Sequence, residues 1–111
     1  MCGRYTLKST STTLANQFDF EELLEGRPRY NIAPSQLVPC VRLLPRSQNR
    51  EGIMLRWGLI PSWAKDPAIG MKLINARAET VDERPSFRKS FRQRRCLVLA
   101  DGFYEWRREE R

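Results

Sequence analysis

Cys2 directly follows the initiator methionine. A small second residue lets methionine aminopeptidase remove Met1, and the product carries an amine and a thiol on neighbouring carbons. An α-amine titrates near ~8 and a free thiol near ~8.5, so both nucleophiles are partly available at neutral pH without a separate base. With an aldehyde, the amine of such a 1,2-aminothiol condenses to an imine, and the thiolate then closes on the imine carbon. The product is a five-membered thiazolidine, durable because the second step is intramolecular. For position 2 in isolation, an incidental second residue is the competing reading.

Two further segments carry reactive groups. Leu73-Ile74-Asn75-Ala76-Arg77-Ala78-Glu79-Thr80 alternates amide, cation and carboxylate with small or apolar residues. In an extended segment Asn75, Arg77 and Glu79 share one face, and a solvated polar face is the simpler alternative. In Ala100-Asp101-Gly102-Phe103-Tyr104-Glu105-Trp106, Glu105 lies among aromatics. Desolvation there would raise its pKa toward general acid/base duty, whereas a surface carboxylate on a strand is the plain reading.

Composition narrows the chemistry. The 111 residues include no histidine, so no Ser-His-Asp or Cys-His relay and no His-ligated zinc can come from this chain alone. The formal charge is +7, from 20 Lys+Arg against 13 Asp+Glu. Sixteen of the cations are Arg, the residue suited to bidentate contact with phosphate or carboxylate, and +5 of the +7 lies in residues 56–111. The densest run is Arg88-Lys89-Ser90-Phe91-Arg92-Gln93-Arg94-Arg95, which alone reads as a solvated helix face. A phosphate-rich partner accounts for the overall Arg bias. The three cysteines, Cys2, Cys40 and Cys96, are widely spaced with no Cys-x-x-Cys, which argues against a disulfide framework or metal knuckle. Cys40 and Cys96 sit in apolar runs and read as small buried hydrophobes. No apolar stretch has the length of a membrane span and no signal peptide opens the chain. A cytoplasmic, nucleoid-associated or nuclear setting without secretion is expected, with no membrane, metal or cofactor.

The elements that must position these groups read as a mixed α+β chain. A short strand is expected at 4–7. A helix capped within Ser9 to Thr13 runs through Leu14, Ala15 and Phe18, with Asp19, Glu21 and Glu22 after it. Residues 26–34 read as loop, 37–44 and 53–59 as strands, 61–70 as loop, and 73–78 as strand or extended loop. Pro85 precedes a helix over 86–94. Residues 96–100 and 103–106 read as strands hinged at an Asp101-Gly102 turn, a hairpin signal. There is no internal repeat and no candidate domain boundary.

Five blocks together resemble one family: Met-Cys-Gly-Arg-Tyr at 1–5, Tyr-Asn-Ile-Ala-Pro at 30–34, Trp-Gly-Leu-Ile-Pro-Ser-Trp at 57–63, Ile-Asn-Ala-Arg-Ala-Glu-Thr at 74–80 and Ala-Asp-Gly-Phe-Tyr-Glu-Trp at 100–106. In order and approximate spacing they are similar to the SOS-response-associated peptidase (SRAP) family. The resemblance implies a mainly antiparallel, barrel-like sheet with flanking helices. It implies a monomeric sensor of abasic sites in single-stranded DNA, in which Cys2 forms a thiazolidine with the ring-opened deoxyribose aldehyde. It assigns Asn75 to positioning the amine and sugar, and Glu105 to the proton transfers. Arg4 and Arg77 would hold phosphates, and Pro34 and Trp63 would line the DNA channel. The family domain continues further and supplies a later histidine tied to crosslink reversal. The resemblance therefore implies a single domain over 1–111, truncated at its C-terminus, in which crosslinking could survive while reversal and stable folding are in doubt.

Two other readings remain. Glutamine amidotransferases with an N-terminal Cys also open Met-Cys-Gly, but their fourth residue is normally apolar where Arg4 is charged, and their later glutamine-binding motifs are absent. A non-catalytic single-strand-binding module could use Arg and Trp alone. Removal of Met1 is the first requirement of the aminothiol chemistry. The intact mass of the purified protein should lack Met1; a retained Met1 leaves Cys2 unable to close a thiazolidine.

Overall fold

The computed structural model describes residues 1–21 and 26–109. Glu22, expected to follow the first helix, lies outside them. The chain opens with β1 (Tyr5–Leu7) and α1 (Ser11–Phe18), followed by β2 (Arg29–Ile32), β3 (Leu37–Leu43) and β4 (Arg50–Arg56). A 3-10 helix (Pro67–Lys72), α2 (Arg88–Gln93), β5 (Leu97–Val98) and β6 (Gly102–Phe103) complete it. The strands form two antiparallel three-stranded sheets, β2-β1-β6 and β4-β3-β5. This mixture of helices and antiparallel sheet is the α+β class read from the sequence.

Both sheets feed one apolar cluster. Tyr5, Leu7 and Ile32 come from the first, Val38, Cys40 and Val41 from the second, and Leu14 from α1, with Leu99 between the sheets. α1 begins where the Thr10 side chain accepts the Thr13 N–H and ends at Asp19, whose φ of 54° halts the helix. The Arg50 guanidinium donates to the Phe18 carbonyl at 2.7 Å, satisfying a helix-end acceptor from β4.

Several boundaries depart from the sequence reading. Residues 29–32 are strand rather than loop, because β1 offers them a paired edge, Tyr5 opposite Ile32, with a register shift before Leu7 opposite Arg29. The fourth strand begins at Arg50, three residues earlier than expected. Its pairing runs the full length of β3, from Leu43 opposite Arg50 to Leu37 opposite Arg56. It stops before Gly58, whose φ is +126°. The expected loop at 61–70 contains the start of the 3-10 helix, and α2 begins at Arg88 rather than Ser86. Residues 73–78 form no strand. The Thr80 N–H donates to Arg77 O at 3.2 Å in a turn, so the shared face of Asn75, Arg77 and Glu79 is not built.

The Asp101-Gly102 hairpin is also absent. β5 pairs with β3 and β6 pairs with β1, so the chain changes sheets between them. The Leu99 N–H donates to Pro39 O at 3.2 Å, and the Asp101 N–H donates to Thr6 O at 2.8 Å. Pro39 has no N–H to return a bond, and β5 ends at Val98, directly before Leu99. The Asp101 carboxylate, instead of closing a turn, accepts from the Lys8 N–H, the Ser9 N–H at 2.9 Å and the Ser9 hydroxyl at 2.6 Å. It thereby ties the sheet-changing segment to the connection between β1 and α1.

The Ser9 hydroxyl, then the Ser9 N–H, hold the Asp101 carboxyl below its ordinary value of 3.8. A depressed folded-state pKa adds stability that is present above the unfolded-state pKa and lost as pH falls through the folded one. Asp101→Ala should lower Tm by about 5 °C at pH 7, with the gap from wild type narrowing below about pH 4. Equal melting at pH 7 would show that the three donors contribute nothing.

Candidate functional site

The pairing of β1 with β6 sets Tyr5 opposite Phe103 and continues outward as Tyr104 N–H to Arg4 O at 2.9 Å. The same ladder carries Glu105 to the N-terminus, where its Oε1 lies 3.3 Å from the Met1 ammonium. The Tyr104 hydroxyl donates to Tyr30 O at 2.8 Å, joining this end of β6 to β2. Cys2 is half-buried here, its thiol 3.5 Å from Arg4 O.

Asn75 donates from Nδ2 to the Cys2 carbonyl at 2.7 Å. Its segment has no ladder of its own and is held by Trp57, whose indole N–H donates to Ile74 O at 2.9 Å, and by the Leu59 N–H to Leu73 O at 3.0 Å. The Trp57 ring packs against Tyr5, centroids 5.4 Å apart. Gly58 makes this approach possible. A Cβ there would lie 2.5 Å from Gly70 O, and its φ of +126° is rare for any other residue. The end of β4 and the 3-10 helix therefore meet backbone to backbone, which fixes where Asn75 begins.

Cys2 and Asn75 open onto a cavity of about 790 Å³. Trp63, Phe103 and the cations Arg88, Lys89 and Arg94 also line it. The basic run at 88–95 is thus not only a solvated helix face. Arg95 turns elsewhere, its guanidinium 4.5 Å from the Phe91 ring centre.

The structure brings Cys2, Asn75 and Glu105 together, with Trp63 on the same cavity and 58% exposed. Glu105 differs from expectation in its surroundings. Its side chain is 49% exposed and Trp106 is fully exposed, so no aromatic packing desolvates the carboxylate. Arg4 is exposed and donates to Asn31 Oδ1 at 2.9 Å. Arg77 is exposed and Pro34 half-buried, and neither lines the cavity. The sequence reading missed Trp57, Asn31 and Tyr5 as contributors, although all three lie within the quoted blocks. The Tyr5 hydroxyl is buried without a protein partner among the described residues, and its pKa is pushed up to about 12, first by burial and then by the nearby Cys40 thiol. Among the described residues, no cluster of His, Cys, Asp or Glu could hold a metal ion, and no helix is long and apolar enough to cross a membrane.

The chain matches the SOS response associated peptidase (SRAP) family over residues 1–111. The chain belongs to that family. It is 50% identical to the abasic site processing protein YoaM of Bacillus subtilis, over 97% of this chain and 48% of that protein. It is 43% identical to the mouse abasic site processing protein HMCES, over 73% of this chain and 26% of that protein. A solved structure from Bacteroides thetaiotaomicron superposes with a TM-score of 0.79 at 25% identity, covering 97% of this chain and 50% of that one. The chain spans about half the length of the bacterial curated relatives it matches.

Gly58→Ala should cost about 3 kcal/mol and speed amide hydrogen exchange at Leu59 and Leu73. Wild-type stability and exchange in that variant would contradict the backbone contact with Gly70.

Proposed function

We propose that this chain recognises abasic sites in single-stranded DNA and that Cys2, freed of Met1, joins the lesion covalently as a thiazolidine. The observation that carries the reading is the convergence of Asn75 on the Cys2 carbonyl and of Glu105 on the Met1 ammonium, one residue before Cys2, beside a cavity with four cations, Arg56, Arg88, Lys89 and Arg94, on its wall. The relatives named abasic site processing proteins support an abasic site as the target.

The chemistry balances without a cofactor. The Cys2 amine adds to C1′ of the ring-opened deoxyribose, forming a C–N bond, and the resulting carbinolamine loses water to give the imine. The thiolate then forms a C–S bond to that carbon, and the nitrogen takes up a proton. Glu105 accepts a proton from the Cys2 ammonium, freeing the amine to attack, and returns one to the departing hydroxyl, a role suited to a carboxylate held at the N-terminus. Asn75 fixes the Cys2 backbone so that amine and thiol face one carbon. Arg88, Lys89 and Arg94 draw in the phosphates flanking the lesion, joined by Arg4 and Arg77 at the periphery. Trp63 offers a stacking surface for a splayed base, and Pro34 an apolar wall further along the strand. Closing the ring removes the imine from which β-elimination would break the strand, so the adduct shields the lesion. The peptidase of the family name corresponds in this reading to removal of Met1.

The test is a denaturing gel of the chain with a single strand carrying one abasic site. Wild type should give a heat-stable shifted band and Cys2→Ala none, while Glu105→Gln should slow its appearance roughly 10²-fold. A band from Cys2→Ala, or none from wild type, contradicts the proposal. Salt-sensitive retention without a covalent band would indicate a binding module, and conversion of glutamine to glutamate an amidotransferase.

A further inference from the structure

We propose that Cys40 and Cys96 form a thiol-oxidation site, a dithiol that small disulfides convert to an intramolecular disulfide while Cys2 stays free. The proposal is independent of the DNA chemistry. β3 and β5 pair with Cys40 opposite Val98 and Val41 opposite Leu97, so continuing the register sets Cys96 opposite Arg42. Cys40 and Cys96 then stand as diagonal neighbours on one face of the two strands. Each thiol is the largest influence on the other's hold on its proton. Both also line the cavity onto which Cys2 opens, so a small reactant has a route to them.

The two sulfurs are unequal in the way thiol–disulfide exchange requires. Cys96 is exposed at the end of β5, whereas Cys40 is buried. The neighbouring Cys40 side chain, aided by the Arg42 guanidinium, lowers the Cys96 pKa to about 6, while the Cys40 thiol itself donates to Val38 O at 3.6 Å. The Cys96 side chain, followed by burial, raises the pKa of Cys40. Cys96 is therefore the attacking thiolate and Cys40 the resolving thiol.

In the first step the Cys96 thiolate forms a bond to one sulfur of the small disulfide. The disulfide bond breaks, and the released thiolate takes up a proton. Consuming the Cys96 charge removes the largest cause that held the proton on Cys40. Cys40 then gives its proton to solvent and bonds to the Cys96 sulfur, expelling the second small thiol. Two protein thiols are oxidised and one small disulfide is reduced to two thiols.

The experiment treats the folded chain with glutathione disulfide, quenches in acid, alkylates free thiols and maps peptides by mass without reduction. The expected product is a Cys40–Cys96 crosslinked peptide pair with Cys2 alkylated. Cys40→Ala should accumulate a lasting glutathione adduct on Cys96, and Cys96→Ser should leave Cys40 fully alkylated. The same oxidation of the urea-unfolded chain should scatter pairing among all three cysteines. Crosslinks dominated by Cys2, a lasting Cys96 adduct in wild type, no reaction at Cys96, or the same scatter in folded and unfolded chains would each overturn the proposal.

Discussion

The meeting of Glu105 with the N-terminus depends on the antiparallel pairing of β1 with β6. Those strands are distant in sequence, and only their ladder, extended by Tyr104 N–H to Arg4 O, sets Glu105 beside the N-terminus. The ladder is short, since β6 itself is Gly102–Phe103. Its position is therefore reinforced from both ends: the Asp101 carboxylate grips the Lys8 and Ser9 amides, and the Tyr104 hydroxyl grips Tyr30 O.

Asn75 is positioned by a different device. Irregular backbone has no periodic hydrogen bonding to hold it, so its placement must come from individual contacts. Here these are the Trp57 indole and the close approach of Gly58 to Gly70. In the proposed role of Asn75, fixing a nucleophile, a rigid support of this kind matters because small displacements are costly in rate. The site is thus built from one end of a sheet and one pinned loop, with cations of the α2 region lining the same cavity.

The sequence made the reactive groups more legible than their surroundings. Cys2 announces itself by position, and Asn75 and Glu105 by the blocks that carry them. Strand 37–43 and the first helix follow from apolar patterning and the Thr10 cap. Strand 29–32 was hidden because its paired edge, not its own periodicity, makes it a strand. Asp101-Gly102 has the composition of a hairpin turn, yet the Asp carboxylate has better partners near Ser9, and Pro39 supplies no N–H to the neighbouring strand. The desolvation expected of Glu105 fails because Tyr104 and Trp106 are themselves exposed. Such outcomes are set by contacts across the whole chain, which local pattern does not encode. The cysteine pair was legible only as two apolar runs, since its diagonal placement depends on the register of β3 with β5.

The central claim is that nitrogen and sulfur of one residue saturate the lesion carbon. The most direct measurement is the carbon-13 spectrum of the crosslink made with an abasic strand labelled at C1′. The account predicts a saturated carbon bonded to nitrogen and sulfur, unchanged by borohydride. An unsaturated carbon–nitrogen resonance that borohydride reduces would contradict it, leaving an imine in which the thiol takes no part.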